Sequence, residues 1–326
     1  MNKKIYIRMT AAVLSAVMVM SLSACSEKEK ETVTNDAQSV DDAPVVTVSS
    51  TVLKPKSKQD YINNSDVPAI IEAISAKEQS MADRPETITI KGVEISTSVT
   101  SLTLSNKGLT DEDIADLRYL FDLKELQIYE NNITDLTPLK GLTNLTTLSL
   151  FKNNVTDLTP LAGLTNLQTL HLRSNGITDI SPLSGLVNIR NLDLSHNEIT
   201  DISALSEMRG ITLLKLNDNN IEDISPLANM SSMDRIHIQN NNVSDISPLW
   251  RMTEATELYA ENNNISDISV LSEMSKLGWL KISGNPVADY APIIELHVLK
   301  KLWISDVSAE CRDTLSQALP DCIINY

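Results

Sequence analysis

A pattern of apolar and polar positions repeats every 22 residues along most of this chain. Each copy is a version of L-x-x-L-x-L-x-x-N-x-I-x-D-I-x-P-L-x-x-L, and the clearest copies are residues 145–164 and 167–186. A fixed period of this length predicts a solenoid in which each repeat is one structural unit. The asparagines of eight copies follow one another without an insertion: Asn131, Asn153, Asn175, Asn197, Asn219, Asn241, Asn263 and Asn285.

Each repeat is predicted to form one short strand followed by one helical turn. In the L-x-L segment the leucines alternate with outward-facing residues, as in a strand with one buried face. We expect the asparagine amide to satisfy backbone groups of adjacent repeats. Because one repeat cannot bury its own apolar face, ten such strands are expected to stack into a parallel sheet. An aspartate in each repeat is expected to cap the helical turn: Asp135, Asp157, Asp179, Asp201, Asp223, Asp245, Asp267 and Asp289.

Residues 61–98 are predicted to form an N-terminal cap made of a helix and a hairpin. Asp66 can begin a short helix with Pro68 in its first turn, and residues 88–95 contain two alternating segments around a Lys-Gly pair. Three isoleucines are expected to share the apolar face of that helix: Ile70, Ile71 and Ile74.

The repeats are predicted to span residues 99–307, with atypical copies at both ends. Lys107 and Val307 take the place of the asparagine in the first and last copies, as expected for terminal repeats. Residues 308–326 are predicted to form a C-terminal cap with a helix and a closing strand.

The first 24 residues have the features of an export signal. Lys3, Lys4 and Arg8 precede an apolar stretch, residues 9–20, that is too short to span a bilayer. The stretch ends in Leu-Ser-Ala-Cys25, which resembles the bacterial lipobox. That resemblance implies a lipoprotein signal peptide over 1–24, a lipid on Cys25 and a location on the extracytoplasmic face of a bacterial membrane. The alternative is an ordinary secretory signal.

Residues 25–60 are polar and charged and show no sustained strand or helix period. This composition predicts a disordered tether between Cys25 and the N-terminal cap.

The repeats resemble the leucine-rich-repeat superfamily, and their I-x-D-I-x-P-L segment is similar to the internalin type. The resemblance covers about residues 99–307. It implies an α/β repeat fold, a solenoid with a parallel β-sheet on the concave face and short helical turns on the convex face. It also implies that the concave face holds protein partners.

The charge of the chain argues against nucleic acid as a partner. The formal net charge is −16, and removing the leader with its three cations would make it more negative. A phosphate backbone would be repelled by that balance.

The sequence contains no recognisable catalytic motif. G-x-S-x-G, H-E-x-x-H, C-x-x-C and phosphate-binding glycine loops are all absent from the sequence. His171 and His237 face the same way but lie three repeats apart, too far to share one zinc ion. The aspartates of the repeats suggest calcium sites, yet each already has a use in its turn. We therefore predict a non-catalytic protein with no cofactor and no metal site.

Two cysteines lie near the C-terminus, Cys311 and Cys322. A disulfide between them is possible outside the cytoplasm, and two buried thiols are the alternative. The sequence leaves this open.

The outward strand positions give the candidate binding site. Of thirty such positions, five are aromatic. Another five carry a positive charge and four carry a negative charge, so the net charge of this face is close to zero. Exposed rings beside lysine and arginine are enriched in interfaces, although strands favour aromatic residues in any case. The candidates are Tyr129, Phe151, His171, Arg173, Lys215, Arg235, His237, Tyr259, Glu261, Trp279, Lys281, Lys301 and Trp303.

Six of these candidates fall on three adjacent predicted rungs and define the C-terminal patch: Tyr259, Glu261, Trp279, Lys281, Lys301 and Trp303. We predict a surface-anchored module that binds another protein of a cell or envelope surface through this face. One alternative is a cell-wall or host glycan stacked on the rings. The other is a structural envelope protein without a specific ligand.

Overall fold

The computed structural model describes residues 66–305 and 307–326. The chain divides into two units, Met1–Asn63 and Asn64–Tyr326, and all of the described residues belong to the second unit. The predicted signal peptide, the predicted lipid acceptor Cys25 and the predicted tether lie outside the described residues, as do the first five residues of the predicted N-terminal cap.

The repeats form one parallel sheet, which confirms the predicted leucine-rich-repeat solenoid. Every strand is three residues long and pairs with the same repeat position of the next strand, as in Leu148 with Leu170. Its strands are β3 (Ser101–Thr103), β4 (Glu125–Gln127), β5 (Thr147–Ser149), β6 (Thr169–His171), β7 (Asn191–Asp193), β8 (Leu213–Lys215), β9 (Arg235–His237), β10 (Glu257–Tyr259), β11 (Trp279–Lys281), β12 (Lys301–Trp303) and β13 (Ile323–Asn325).

All ten predicted repeat strands are present as β3 to β12, and the predicted closing strand adds an eleventh to the same sheet. The closing strand β13 pairs in parallel with β12, with Ile324 beside Leu302. Between them lies helix α4 (Ala309–Ala318), whose first turn is capped by the Ser308 hydroxyl accepting from the Cys311 N–H at 3.1 Å. The C-terminal segment therefore adds one more strand to the sheet and does not only cover β12.

The convex side consists of short helical turns, as predicted. Two are single-turn α-helices, α2 (Asp111–Ile114) and α3 (Ala291–Ile294). The others are 3₁₀ turns at Ala115–Tyr119, Thr137–Leu139, Thr159–Leu161, Ser181–Leu183, Ser203–Leu205, Ser225–Leu227, Ser247–Arg251 and Ser269–Glu273.

The aspartates hold these turns as the sequence predicted. In every repeat from Asp135 to Asp289, Oδ1 accepts the N–H two residues later at 2.7–2.9 Å. The N–H and hydroxyl of Ser203 lower the pKa of Asp201, since both hydrogen bonds favour its charged form. In the described part of the chain, no group of three or more His, Cys, Asp or Glu side chains could hold a metal ion.

The repeat asparagines connect neighbouring rungs from inside the solenoid. Asn219 is typical: its Oδ1 accepts the Ile199 N–H at 3.0 Å, and its Nδ2 donates to the Leu194 and Leu216 carbonyls at 3.0 and 2.9 Å. The leucines and isoleucines behind the sheet form a single apolar cluster that extends from Ile88 to Leu319.

The N-terminal segment contains helix α1 (Asp66–Ala82) and an antiparallel hairpin of β1 (Thr87–Ile90) and β2 (Val93–Ser96). At 17 residues, α1 is longer than the short helix expected. From Pro68 onward, its buried side chain is Ala73, only 1% exposed, whereas Ile71 is 38% exposed. The expected isoleucine face was therefore wrong at Ile71, because the helix uses small residues for its contact.

Helix α1 lies across the convex turns of two repeats. A Cβ placed on Gly163 would meet the Ala73 side chain and lie 2.8 Å from the Ala69 carbonyl oxygen. A Cβ on Gly141 would lie 2.9 Å from the backbone nitrogen of Lys77. The glycines of these repeats thus allow the helix backbone to approach closely. None of the described helices is long and apolar enough to cross a membrane.

Candidate functional site

The predicted site residues occupy three outward columns of the sheet, and equivalent residues are adjacent on neighbouring strands. The first column, at the first residue of each strand, contains Arg235, Trp279 and Lys301. The second, at the last residue of each strand, contains His171, Lys215, His237, Tyr259, Lys281 and Trp303. The third, two residues beyond each strand, contains Tyr129, Phe151, Arg173 and Glu261.

The second column is a continuous stack at its C-terminal end. The rings of His237 and Tyr259 lie 4.4 Å apart and nearly parallel, at 11°. Lys281 Nζ lies 4.1 Å from the Tyr259 ring centre and 4.9 Å from that of Trp303. Because His237 and Lys281 come from the strands on either side of β10, they cover opposite faces of Tyr259. The stack therefore holds these four side chains in fixed order.

The first column adds a second lysine–aromatic pair. Lys301 Nζ lies 4.8 Å from the ring centre of Trp279. Trp279 is 42% exposed, which makes it the ring of the C-terminal patch that is most open to a partner. The six residues of the patch thus lie together: five are on β10, β11 and β12, and Glu261 lies two residues beyond β10.

Two carboxylates contact side chains of the second column in this region. Glu257 Oε1 lies 2.8 Å from His237 Nε2, and Glu261 Oε1 lies 3.7 Å from Lys281 Nζ. Glu257 was counted among the charges of the face but was not predicted as a site residue. Its contact with His237 depends on side-chain direction, which the repeat pattern does not give.

Burial sets the ionisation of the stack. It lowers the pKa of His237, and the nearby Glu257 only partly opposes this effect. It raises the pKa of Tyr259, with a further rise from Glu257. At neutral pH the stack therefore contains a neutral imidazole and a protonated phenol, so its positive charge comes from Lys281.

The remaining candidates do not join this patch. Tyr129 and Phe151 form a separate stacked pair near the other end of the sheet, with ring centres 4.2 Å apart. Between the two clusters, Lys215 pairs with Asp193 at 3.6 Å. His171 is half-buried, and burial lowers its pKa.

Two arginine candidates are bound by local partners. Arg173 Nη2 lies 3.3 Å from His196 Nε2, and Arg235 Nε lies 3.4 Å from Asp234 Oδ2. The face therefore has an aromatic cluster at each end and a polar centre.

A fourth column, next to the asparagines, was not foreseen. Its residues have left-handed backbones with φ between 53° and 57°: Asn106, Glu130, Lys152, Ser174, His196, Asp218, Asn240 and Asn262. Their side chains form a ladder in which Asn262 donates to Asn240 and Asn240 donates to Asp218, both at 2.7 Å. Asn, Asp and Gly recur at this position, as at Gly284, and these residues adopt a left-handed backbone most readily. That recurrence could have indicated the fourth column.

An exposed tryptophan on the convex side was also missed. Trp250 lies in the turn Ser247–Arg251 and is 51% exposed, with the Arg251 guanidinium 4.6 Å from its ring centre. It is far from the concave columns in the repeat and provides an aromatic control for experiments on them.

Comparison with known proteins supports the repeat family. The family model for leucine-rich repeats in two copies matches residues 122–163 and 165–207. No curated protein matches this chain.

Solved structures of internalins are similar to the chain over most of its length. An internalin (inlF) from Listeria monocytogenes is 27% identical, with 79% of this chain and 82% of that chain covered and a TM-score of 0.58. Internalin C2 from the same species is 31% identical, with 73% and 93% covered and a TM-score of 0.50.

A plant receptor shares the fold alone. The leucine-rich-repeat ectodomain of the receptor kinase GASSHO1/SCHENGEN3 from Arabidopsis thaliana, solved in complex with Casparian strip integrity factor 2, is 19% identical, with 64% and 27% covered and a TM-score of 0.59. The 22-residue period, the parallel sheet and the identity to internalin C2 agree with one another. The chain therefore belongs to the leucine-rich-repeat family, and its repeats are internalin-like.

Proposed function

We propose that this chain is a non-catalytic binding module, held by a lipid on Cys25 at the outer face of a bacterial membrane, that binds another protein through its C-terminal patch. The observation that carries the binding proposal is the stack of Tyr259, Lys281 and Trp303 beside Trp279. Interface hot spots are enriched in such aromatic anchors.

The stack also favours a protein ligand over a glycan. Sugar rings bind by lying flat on an exposed aromatic face, but both faces of Tyr259 are covered, by His237 and Lys281. Lys281 also covers one face of Trp303. A partner can therefore contact the edges of these rings. Because the stacked side chains are already ordered, binding an irregular protein surface costs less entropy.

One solved structure of the same fold has a bound partner. The plant receptor ectodomain was solved with a bound factor, and a repeat solenoid presents an extended concave surface suited to such contacts.

Removing the three rings of the patch will abolish binding of the partner. Aromatic hot spots each contribute about 2 kcal/mol or more to affinity, so the triple variant Tyr259→Ala, Trp279→Ala, Trp303→Ala should retain nothing. The measurement is a pull-down from envelope and host-surface extracts, using the full-length chain, with circular dichroism to verify folding.

The matched control is Trp250→Ala, which removes an exposed ring from the convex side. Equal capture by the triple variant and the native chain would contradict the patch. Capture that free glycan competes away would point to the carbohydrate alternative, and no capture by the native chain would favour a structural role.

Replacing Cys25 with serine will release the chain from the membrane. Two or more acyl chains give stable anchoring, and serine offers no thiol for them. We expect the variant, expressed in a bacterium that processes lipoproteins, to lose incorporation of labelled palmitate and to move to the soluble extracytoplasmic fraction. Retention of both label and membrane association would contradict the anchor.

A further inference from the structure

The C-terminal patch presents two ammonium groups on adjacent strands. Lys281 on β11 pairs in register with Trp303, and Trp279 pairs with Lys301 on β12. The four side chains thus form a two-by-two block in which the lysines occupy one diagonal and the tryptophans the other. Each ammonium lies within 4.9 Å of a tryptophan ring centre, and cation–π contacts of this kind fix the direction of a lysine.

One of these ammonium groups already binds a carboxylate, but poorly. Glu261 Oε1 lies 3.7 Å from Lys281 Nζ, a long distance for a charge-assisted contact. The second oxygen, Oε2, is buried and accepts no hydrogen bond from the described residues. Burial accordingly raises the pKa of Glu261, against the opposing effects of its backbone and Lys281. A buried carboxylate with an unpaired oxygen is a costly arrangement.

The other ammonium group, that of Lys301, contacts an aromatic ring. Among the described residues, no carboxylate lies within ion-pair distance of Lys301, whose contact is the Trp279 ring. Within the described part of the chain, the block therefore contains one cation without an ion-pair partner and one cation with a distant partner, beside an exposed indole.

We infer that the C-terminal patch receives an acidic side chain of its protein partner, with the carboxylate between Lys281 and Lys301 and a neighbouring apolar side chain against Trp279. This inference rests on the proposed function and specifies the chemistry of the partner. Glu261 is then an internal competitor, which an incoming carboxylate displaces from Lys281. The turn aspartates lie on the opposite side of the repeat, so they do not line this block.

The direct test is a fluorescence titration with short peptides. The chain contains three tryptophans, so Trp250→Phe leaves Trp279 and Trp303 as reporters. The probes are acetyl-Gly-Glu-Leu-Glu-Gly-amide and its glutamine and lysine counterparts. We expect the glutamate peptide to shift the emission and to bind more tightly than the other two.

Single substitutions then assign the charges. Lys281→Gln and Lys301→Gln should each weaken binding of the glutamate peptide by roughly fivefold, the upper range for a partly exposed ion pair. Glu261→Gln should strengthen it by a similar factor, because the competitor is removed. Lys276→Gln is the matched control, since Lys276 pairs with Glu254 outside the three columns and should leave affinity unchanged.

Equal affinity for the glutamate and glutamine peptides would overturn the inference, as would equal affinities of the Lys281, Lys301 and Lys276 variants. Inorganic phosphate competing as well as the peptide would also overturn it, because any anion would then suffice. Should these tests fail while the triple alanine variant still loses the captured protein, the concave site stands and its preference for acid is wrong.

Discussion

Replacing Asn219 with alanine will lower the free energy of unfolding by about 3–5 kcal/mol. The side chain serves three buried backbone groups, the Ile199 N–H and the Leu194 and Leu216 carbonyls. Each buried group left without a partner costs about 1–3 kcal/mol, and local relaxation recovers part of the sum. Urea unfolding followed by circular dichroism measures the change.

Asn220→Ala is the control for this loss. Asn220 is exposed, and its hydrogen bond to the Ile199 carbonyl comes from the backbone, so alanine retains it. We expect a change within about 0.5 kcal/mol for this surface position. Similar losses for both variants would mean that the buried amide does not connect the rungs.

Replacing Gly163 with alanine will loosen helix α1 from the convex side. The added methyl group meets the Ala73 side chain and the Ala69 carbonyl oxygen at 2.8 Å, and backbone atoms cannot move aside as a flexible side chain can. Overpacking of this kind costs about 1–3 kcal/mol. Because few apolar side chains of α1 are buried, we expect the helix to yield before the sheet does.

Hydrogen exchange followed by mass spectrometry will show where the structure yields. Residues 66–82 should exchange faster in the variant, while the strands keep their protection. Gly176→Ala is the matched control, since a Cβ there would meet only the Thr156 methyl carbon at an ordinary 3.4 Å. Unchanged exchange in 66–82 would show that α1 does not depend on this contact.

The sequence predicts the sheet well because two separate periods, the 22-residue repeat and the two-residue alternation within L-x-L, indicate the same sheet. The 22-residue period sets which residues become neighbours, and the alternation within L-x-L sets which of them face outward. Tyr259 beside Lys281, and Lys281 beside Trp303, follow from counting alone. The closing strand was predicted as part of the C-terminal cap, but its pairing with β12 was not, because α4 replaces most of a repeat between β12 and β13.

The geometry of the patch could not be predicted from the pattern. Counting places Glu261 next to Lys281, but it does not show that one carboxylate oxygen is buried without a partner. That depends on rotamers and on how neighbouring rings exclude water. Likewise, the position of α1 depends on a long-range match between its alanines and Gly163. Periodicity contains no information about such a match.

The glycines beneath α1 also determine which repeats are interchangeable. Gly141 and Gly163 allow the helix to pack closely, whereas the equivalent positions after Gly185 are occupied by larger residues: Glu207, Asn229, Arg251 and Glu273. A copy of the repeat that contains Glu207, Arg251 or Glu273 in the first part of the array would place a long side chain under the helix. Duplication, loss or exchange of whole repeats is therefore constrained at the N-terminal end and free towards the C-terminal end, where the patch lies. The array can change its length and its binding surface there without disturbing the segment that connects it to the rest of the chain.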